Sequence, residues 1–600
     1  MMKLSRMLFL LLALLPLCAW AQQPPAGVDQ LCDGYFRDWI RLHPDDASQF
    51  GLTAEMGIPF DKADLTDYSE AMVDSTYGLY ARYAAGLKSC DRGTLSAAQR
   101  LDADVLAWYL NLMLDGKRFK DHDYVLSHMY NAHTSTITLL TEYHTISGRQ
   151  DALDYLARLR LVPRRIGQAL SRLALQEKRG IRPPCFVLDK LDTALSQFAA
   201  TPPDSNVLVT SFNARMQGLA GIDETGRAEM TAQARDIMRD QVYPSYRTFI
   251  QAVRASRSKS DSAAGVWKLP HGDAYYRWCL KYHTTTDLTP DQVHQLGLRE
   301  VARIQSEIRD LIKQLGLSGG PVFSSWMNAY WEYLSSPAQR AKYTYPDAPG
   351  SRQQVVNDYQ TIINQTWLRL PEVFSQIPAT KVNAQAVPPY KEASAGTYYE
   401  PASLDGKRQG VFYANLSYGL PGKPGMATLV YHEAIPGHHF QIAVAQEHKQ
   451  NKLYKNLLFF TGFGEGWAMY SERLAGEQGW FPDVPSRIAN QASLLFRAVR
   501  LVLDTGIHSQ RWTRDQALQY MQDNLGWSAD GEVDRYIMWP GQACAYYVGM
   551  LKIVELREKA KKELGPKFDL REFHRVLLEN GTLPLELAER QVNGYIAANK

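Results

Sequence analysis

Cysteine is scarce, six in 600 residues, and no two stand as a C-x-x-C pair, which removes the commonest redox and metal patterns built on thiols. Excess charge of either sign is missing as well. Residues 1–21 carry Lys3, Arg6 and no acid, and the remainder holds 64 basic against 63 acidic residues. Nothing in that balance calls for nucleic acid or an anionic membrane surface as partner. The apolar run at the N-terminus, Met7 to Leu17, is too short to span a bilayer. Sustained period-2 alternation is rare, which excludes an all-β or doubly wound chain. There is no internal repeat and no long low-complexity tract.

What is present begins with a secretory layout. Lys3 and Arg6 precede the apolar run, and Ala19-Trp20-Ala21 offers a small-x-small cleavage site with Gln22 as first mature residue. Cys18 follows Leu17, a residue too large for a lipoprotein signal, so the expected location is periplasmic or secreted. Five cysteines then remain, Cys32, Cys90, Cys185, Cys279 and Cys544. Their odd count forbids complete pairing; Cys32 with Cys90 is the least remote pair, and isolated buried thiols are the alternative.

Six hundred residues exceed one hydrophobic core. The polar stretch Ser256 to Gly265 places a boundary between an N-terminal helical half, 22–255, and a C-terminal half, 256–600. Helical spacing is widespread. Leu101, Val105, Trp108 and Tyr109 share a stripe, and Thr289-Pro290-Asp291 is a helix start. Asn490–Ile507 and Leu551–Leu564 repeat the pattern, as does Asp151–Leu175, which Pro163 should split or kink. Gly410 to Leu416 is the best strand candidate. The expected fold is mainly α: two helical lobes around a deep cleft, with a small β element near the site.

The chemistry concentrates in His432-Glu433-Ala434-Ile435-Pro436-Gly437-His438-His439. The H-E-x-x-H zinc signature works because positions i and i+4 share a helix face one turn apart. Here i+4 is Pro436 and the next histidines stand at i+6 and i+7. On a regular helix i+6 points about 240° round, and i+7 lies roughly 10 Å along the axis, too far for two nitrogens each about 2 Å from one zinc. Pro436 lacks an N–H and Gly437 tolerates unusual backbone angles. A bulge at these two residues would bring His438 to the place of i+4, with His439 as the alternative second ligand. Downstream, Glu465 and Glu472 are seven apart on one helical face, with Ala468 between them leaving room for close packing.

Glu465-Gly466-Trp467-Ala468-x-Tyr470-x-Glu472 resembles the third-ligand segment of gluzincin metallopeptidases. The strings His432 to His439, Glu465-Gly466-Trp467 and Pro540-Gly541-Gln542-Ala543-x-x-Tyr546-x-x-Gly549 together resemble the bacterial family catalogued as domain of unknown function 885. Gly265-x-Trp267-x-Leu269-Pro270-x-Gly272 fits the same family, which is similar in turn to carboxypeptidase Taq and angiotensin-converting enzyme. The resemblance implies one zinc ion held by His432, His438 and Glu465, Glu433 as general base, and Glu472 orienting a ligand histidine.

A phenol beside the metal would stabilise the tetrahedral intermediate, with Tyr546 the first candidate and Tyr547 the second. Tyr413 and Asn415, on an edge strand, would bind extended peptide, and Arg535, Lys407 or Arg408 a terminal carboxylate. The expected activity is hydrolysis of oligopeptides by an exported zinc metallopeptidase, as a carboxypeptidase or dipeptidase. An amidase on a non-peptide substrate would use the same residues, and a metal-free periplasmic peptide-binding protein would use none of them catalytically. His43, His122, His128, His133 and His271 lack ligand spacing. Side-chain preference and oligomeric state leave no mark on the sequence.

Overall fold

The computed structural model describes residues 27–600 apart from 54–55, 130, 390, 393–395 and 418. The expected signal segment, 1–21, lies outside the described residues. The chain is mainly α, and its helices start where local chemistry satisfies their first amides. Helix Ala97–Asp115 opens on Ser96, which caps the Gln99 amide while the Gln99 side chain returns to the Ser96 N–H. Helix Pro290–Gln314 opens on Thr289 and Gln292 in the same reciprocal arrangement, with Pro in the first turn. Helix Arg149–Lys178 runs unbroken through Pro163, so the expected split does not occur. One lost backbone bond is outweighed by a face on which Leu159, Val162 and Ile166 are wholly buried.

Among the described residues the sheet has three short strands, β1 (Val382–Ala386), β2 (Tyr398–Glu400) and β3 (Gly410–Ala414), in the order β1-β3-β2. β3 pairs parallel with β1 and antiparallel with β2. The strand expected at 410–416 is therefore the central one. Its backbone donors and acceptors are used on both sides, and the expectation that it binds peptide as an edge strand is corrected.

Buried apolar side chains gather into two cores. The smaller draws on Leu126 to Val253 and Leu65. The larger joins Val28 to Phe119 with residues from Ala264 to Ile596. The polar stretch after helix Tyr243–Arg257 leads from one core to the other. All five described cysteines carry free thiols, and no described helix is long and apolar enough to cross a membrane. Within the larger core, helix Pro290–Gln314 packs along Val484–His508, and helix Thr461–Glu477 along Gln542–Leu564. The second of these pairs builds the site.

Candidate metal centre

Helix Lys423–Glu433 carries His432 and Glu433 on its last turn and stops there. Ala434 leaves helical angles at φ −104° and ψ −97°, the Ile435–Pro436 peptide is cis, and a new helix, His438–Glu447, starts after Gly437. The interruption is thus a break between two helices rather than a bulge inside one. Glycine is required at 437 for space: a Cβ there would stand 1.8 Å from the carbonyl oxygen of His432. The turn is tied down from outside, because the Pro436 carbonyl accepts hydrogen bonds from Trp467 Nε1 at 2.8 Å and Ser471 Oγ at 3.1 Å.

Those two donors lie on helix Thr461–Glu477, which also carries Glu465 and Glu472. Its approach to helix Gln542–Leu564 depends on facing glycines. A Cβ on Gly549 would meet the Gly462 carbonyl at 1.7 Å, and one on Gly466 would meet the Gly549 backbone at 2.5 Å. With no side chains between them the two backbones nearly touch. Tyr546, one turn before Gly549, is thereby carried to the rim of the cavity that Glu465 lines.

His432, His438 and Glu465 converge, each offering one ligand atom with all three within 4.8 Å of one another. Oε2 of Glu465 stands 3.5 Å from His432 Nε2 and 3.3 Å from His438 Nε2. Neither contact has hydrogen-bond geometry, and this buried oxygen receives no donor among the described residues. Ligand atoms about 2.0–2.2 Å from a tetrahedral ion stand about 3.3–3.6 Å apart. The donor set, its spacing and the orphaned oxygen therefore fit zinc.

The outer ring is equally specific. His432 Nδ1 is 2.7 Å from Oε1 of Glu472, leaving Nε2 to face Glu465. Oε2 of Glu472 accepts from Ser493 Oγ at 2.8 Å, and Arg497 stands 3.8 Å from Oε1. Burial resists ionisation of Glu472, but Arg497 and His432 prevail and hold its carboxyl below the usual range. Glu465 also lies well below that range: burial opposes it, and the two histidines overcome burial. Burial would keep His432 neutral, yet Glu465 and Glu472 push it up to about 9. Glu433 behaves oppositely: burial raises its carboxyl although His432 and His438 resist, the direction a general base needs.

A cavity of about 520 Å³ is lined by His432, Glu433, His438, Glu465 and Tyr546. Gln542 Nε2 donates to the Tyr546 hydroxyl at 3.2 Å, so the phenolic hydrogen is free to point elsewhere. Tyr547 faces away and donates to Glu300 at 2.7 Å. His439 also faces away, with Nδ1 2.9 Å from the Tyr399 hydroxyl and Nε2 3.0 Å from the Thr380 carbonyl. Of the expected substrate contacts, Tyr413, Asn415 and Arg535 stand outside the cavity lining. Tyr413 stacks on Tyr398 at 5.1 Å, and Arg535 donates to Gln542 at 2.6 Å and to Glu532 at 3.2 Å. Arg408 does line the cavity. Sequence reasoning missed Ser493, Arg497, Gln441 and Gln542. Only Gln542, inside the Pro-Gly-Gln-Ala segment, carries a signal that could have marked it.

The chain belongs to the family described as bacterial protein of unknown function, domain of unknown function 885, whose model matches residues 44–592. No curated protein matches it. Its fold is similar to a crystal structure described as a putative lipoprotein from Colwellia psychrerythraea, with 26% identity, a TM-score of 0.90, and 96% of this chain and 100% of that chain covered. A protein described as a putative lipoprotein of unknown function from Shewanella oneidensis shares the fold at 18% identity and a TM-score of 0.71, over 94% of this chain and 99% of that one.

Proposed function

We propose that this protein is an exported, zinc-dependent peptidase acting on oligopeptides in the periplasm or outside the cell. The carrying observation is the convergence of His432, His438 and Glu465, with Glu465 Oε2 3.5 and 3.3 Å from the two histidine Nε2 atoms, beside a cavity that Glu433 and Tyr546 also line. Zinc bound there would supply electrophilic polarisation and acidify water toward neutral pH.

The remaining work falls to the chain itself. Glu433, raised by burial, takes the proton of the attacking water and delivers it to the leaving amine. Glu472 fixes His432 through Nδ1. Tyr546, steered by Gln542, donates its hydroxyl hydrogen to the developing oxyanion. Burial and Glu465 raise the Tyr546 phenol, which keeps that hydrogen in place at neutral pH.

The test is metal analysis joined to peptide hydrolysis. One zinc per chain and turnover of unmodified peptides are expected. Glu433→Gln should lower kcat by roughly 10²–10⁴-fold while keeping its zinc. A chain that binds peptide but no zinc would instead be a binding protein.

A further inference from the structure

The segment that leads into helix Thr461–Glu477 is extended at Leu458, with φ −105° and ψ 101°, and at Phe460, with φ −77° and ψ 99°. Successive side chains of an extended segment point to opposite sides. Leu458 and Phe460 are accordingly only 3% and 4% exposed, while Phe459 between them is 48% exposed. Thr582 fixes the segment, since its Oγ1 donates to the Leu458 carbonyl at 2.8 Å. Seven large apolar side chains among the described residues are exposed, and of these Phe459 lines the metal-site cavity.

Single exposed apolar side chains are ordinary on a protein surface. This one is set apart by its seat. A Cβ on Gly464 would stand 2.4 Å from Cζ and 2.6 Å from Cε2 of Phe459, so glycine at 464 makes room for the ring edge. Gly464 immediately precedes Glu465, one of the three converging ligand residues. The ring is thereby held beside the metal site. Ile442, one turn beyond His438, and Phe50 and Leu404 are half-buried in the same cavity wall. The cations of that wall are already paired, Lys455 with Asp102 at 2.9 Å, Lys452 with Asp29 at 2.9 Å and Arg408 with Glu400 at 3.7 Å. An incoming side chain therefore gains most by covering the apolar part.

We infer that Phe459 receives a large apolar side chain of the substrate, from a residue flanking the scissile bond. The site is thus selective for oligopeptides with an aromatic or long aliphatic residue at that place. The inference rests on the peptidase reading of the metal centre and names its side-chain preference. Contact removes apolar area from both the ring and the side chain it meets, and the hydrophobic gain scales with that area. Phenylalanine should be preferred to alanine there by at least about tenfold.

Hexaalanine, and the peptides made from it by moving a single phenylalanine through the sequence, are offered to the zinc-loaded full-length chain. Mass spectrometry reads which bond is cut. A bond flanked by phenylalanine should be cut with kcat/KM at least about tenfold above the same bond in hexaalanine. That ratio should fall below about threefold in Phe459→Ala and Phe459→Gln, which remove the apolar face, and be largely kept in Phe459→Leu. Zinc content and melting temperature confirm that each variant is folded and loaded, and either of the first two suffices if the other fails to fold.

Equal turnover of hexaalanine and every phenylalanine peptide, or cutting at bonds away from the phenylalanine, overturns the inference and leaves the peptidase reading in place. An unreduced preference in a folded Phe459→Ala or Phe459→Gln does the same. Hydrolysis of none of the peptides overturns the peptidase reading, and equilibrium binding of the same peptides then decides the apolar subsite by itself. Binding of a phenylalanine peptide at least about tenfold tighter than hexaalanine, weakened by Phe459→Ala, sustains it; equal binding overturns it.

Discussion

Two regions of this molecule bury charge, and they do so to different ends. Beside the smaller core, Arg158 is wholly buried and every nitrogen is used. Nε donates to the Asp64 carbonyl at 2.9 Å, Nη1 to Ser48 at 2.8 Å and His144 at 3.0 Å, and Nη2 to the Pro44 carbonyl at 3.4 Å. At the metal-site cavity, Glu465 Oε2 is buried without a hydrogen-bond partner among the described residues. A finished network holds chain segments together; an unfinished one is shaped for something that arrives later.

The comparison breaks most visibly at adjacent histidines. His438→Ala should abolish stoichiometric zinc, whereas His439→Ala, which removes a ring bonded to Tyr399 and Thr380, should keep it. Elemental analysis of the two purified variants decides; zinc retained by His438→Ala would refute the ligand assignment. Next in size is Glu472→Ala, which leaves His432 Nδ1 without its partner and should weaken zinc affinity roughly 10–100-fold, measured by competition with a chelator.

Arg158→Met tests the finished network. It strands Ser48, His144 and two carbonyls, and a loss of about 1–3 kcal/mol of stability is expected by denaturant unfolding, with zinc content unchanged. Last comes His144, whose effect is confined to acid pH. Burial, then Arg158, lowers its pKa to about 3, against about 6.5 unfolded. Between those values the unfolded chain binds the proton and the fold does not. Stability from this group is therefore whole above about pH 6.5 and falls as pH drops toward 3, by at most about 1.4 kcal/mol per pH unit. His144→Gln should flatten that slope in melting curves taken at a series of pH values.

Much of the fold is legible in the sequence because its signals are local. The caps at Ser96 and Thr289 satisfy amides three residues away, so spacing alone announces them. The abnormal motif is legible for the same reason: Pro436-Gly437 cannot continue a helix, and that local fact favours His438 over His439 as the second ligand. Pro163 misleads because the penalty is local, whereas the apolar face that overrides it is not. Composition marks a strand at 410–416, but its central position depends on partners 28 and 13 residues upstream, Val382 opposite Gly410 and Tyr399 opposite Phe412.

By itself, then, the sequence determined the mainly helical class, the place where a helix must break, and the residue types able to hold a zinc ion. Only tertiary structure decided which histidine faces Glu465 and which tyrosine faces the cavity. The reason is physical. Residue type and short-range spacing set what a side chain can do and how the nearby backbone runs. Which partners consume its hydrogen bonds is settled by helices such as Thr461–Glu477 and Gln542–Leu564, which meet glycine to glycine with 64 residues between them in the chain.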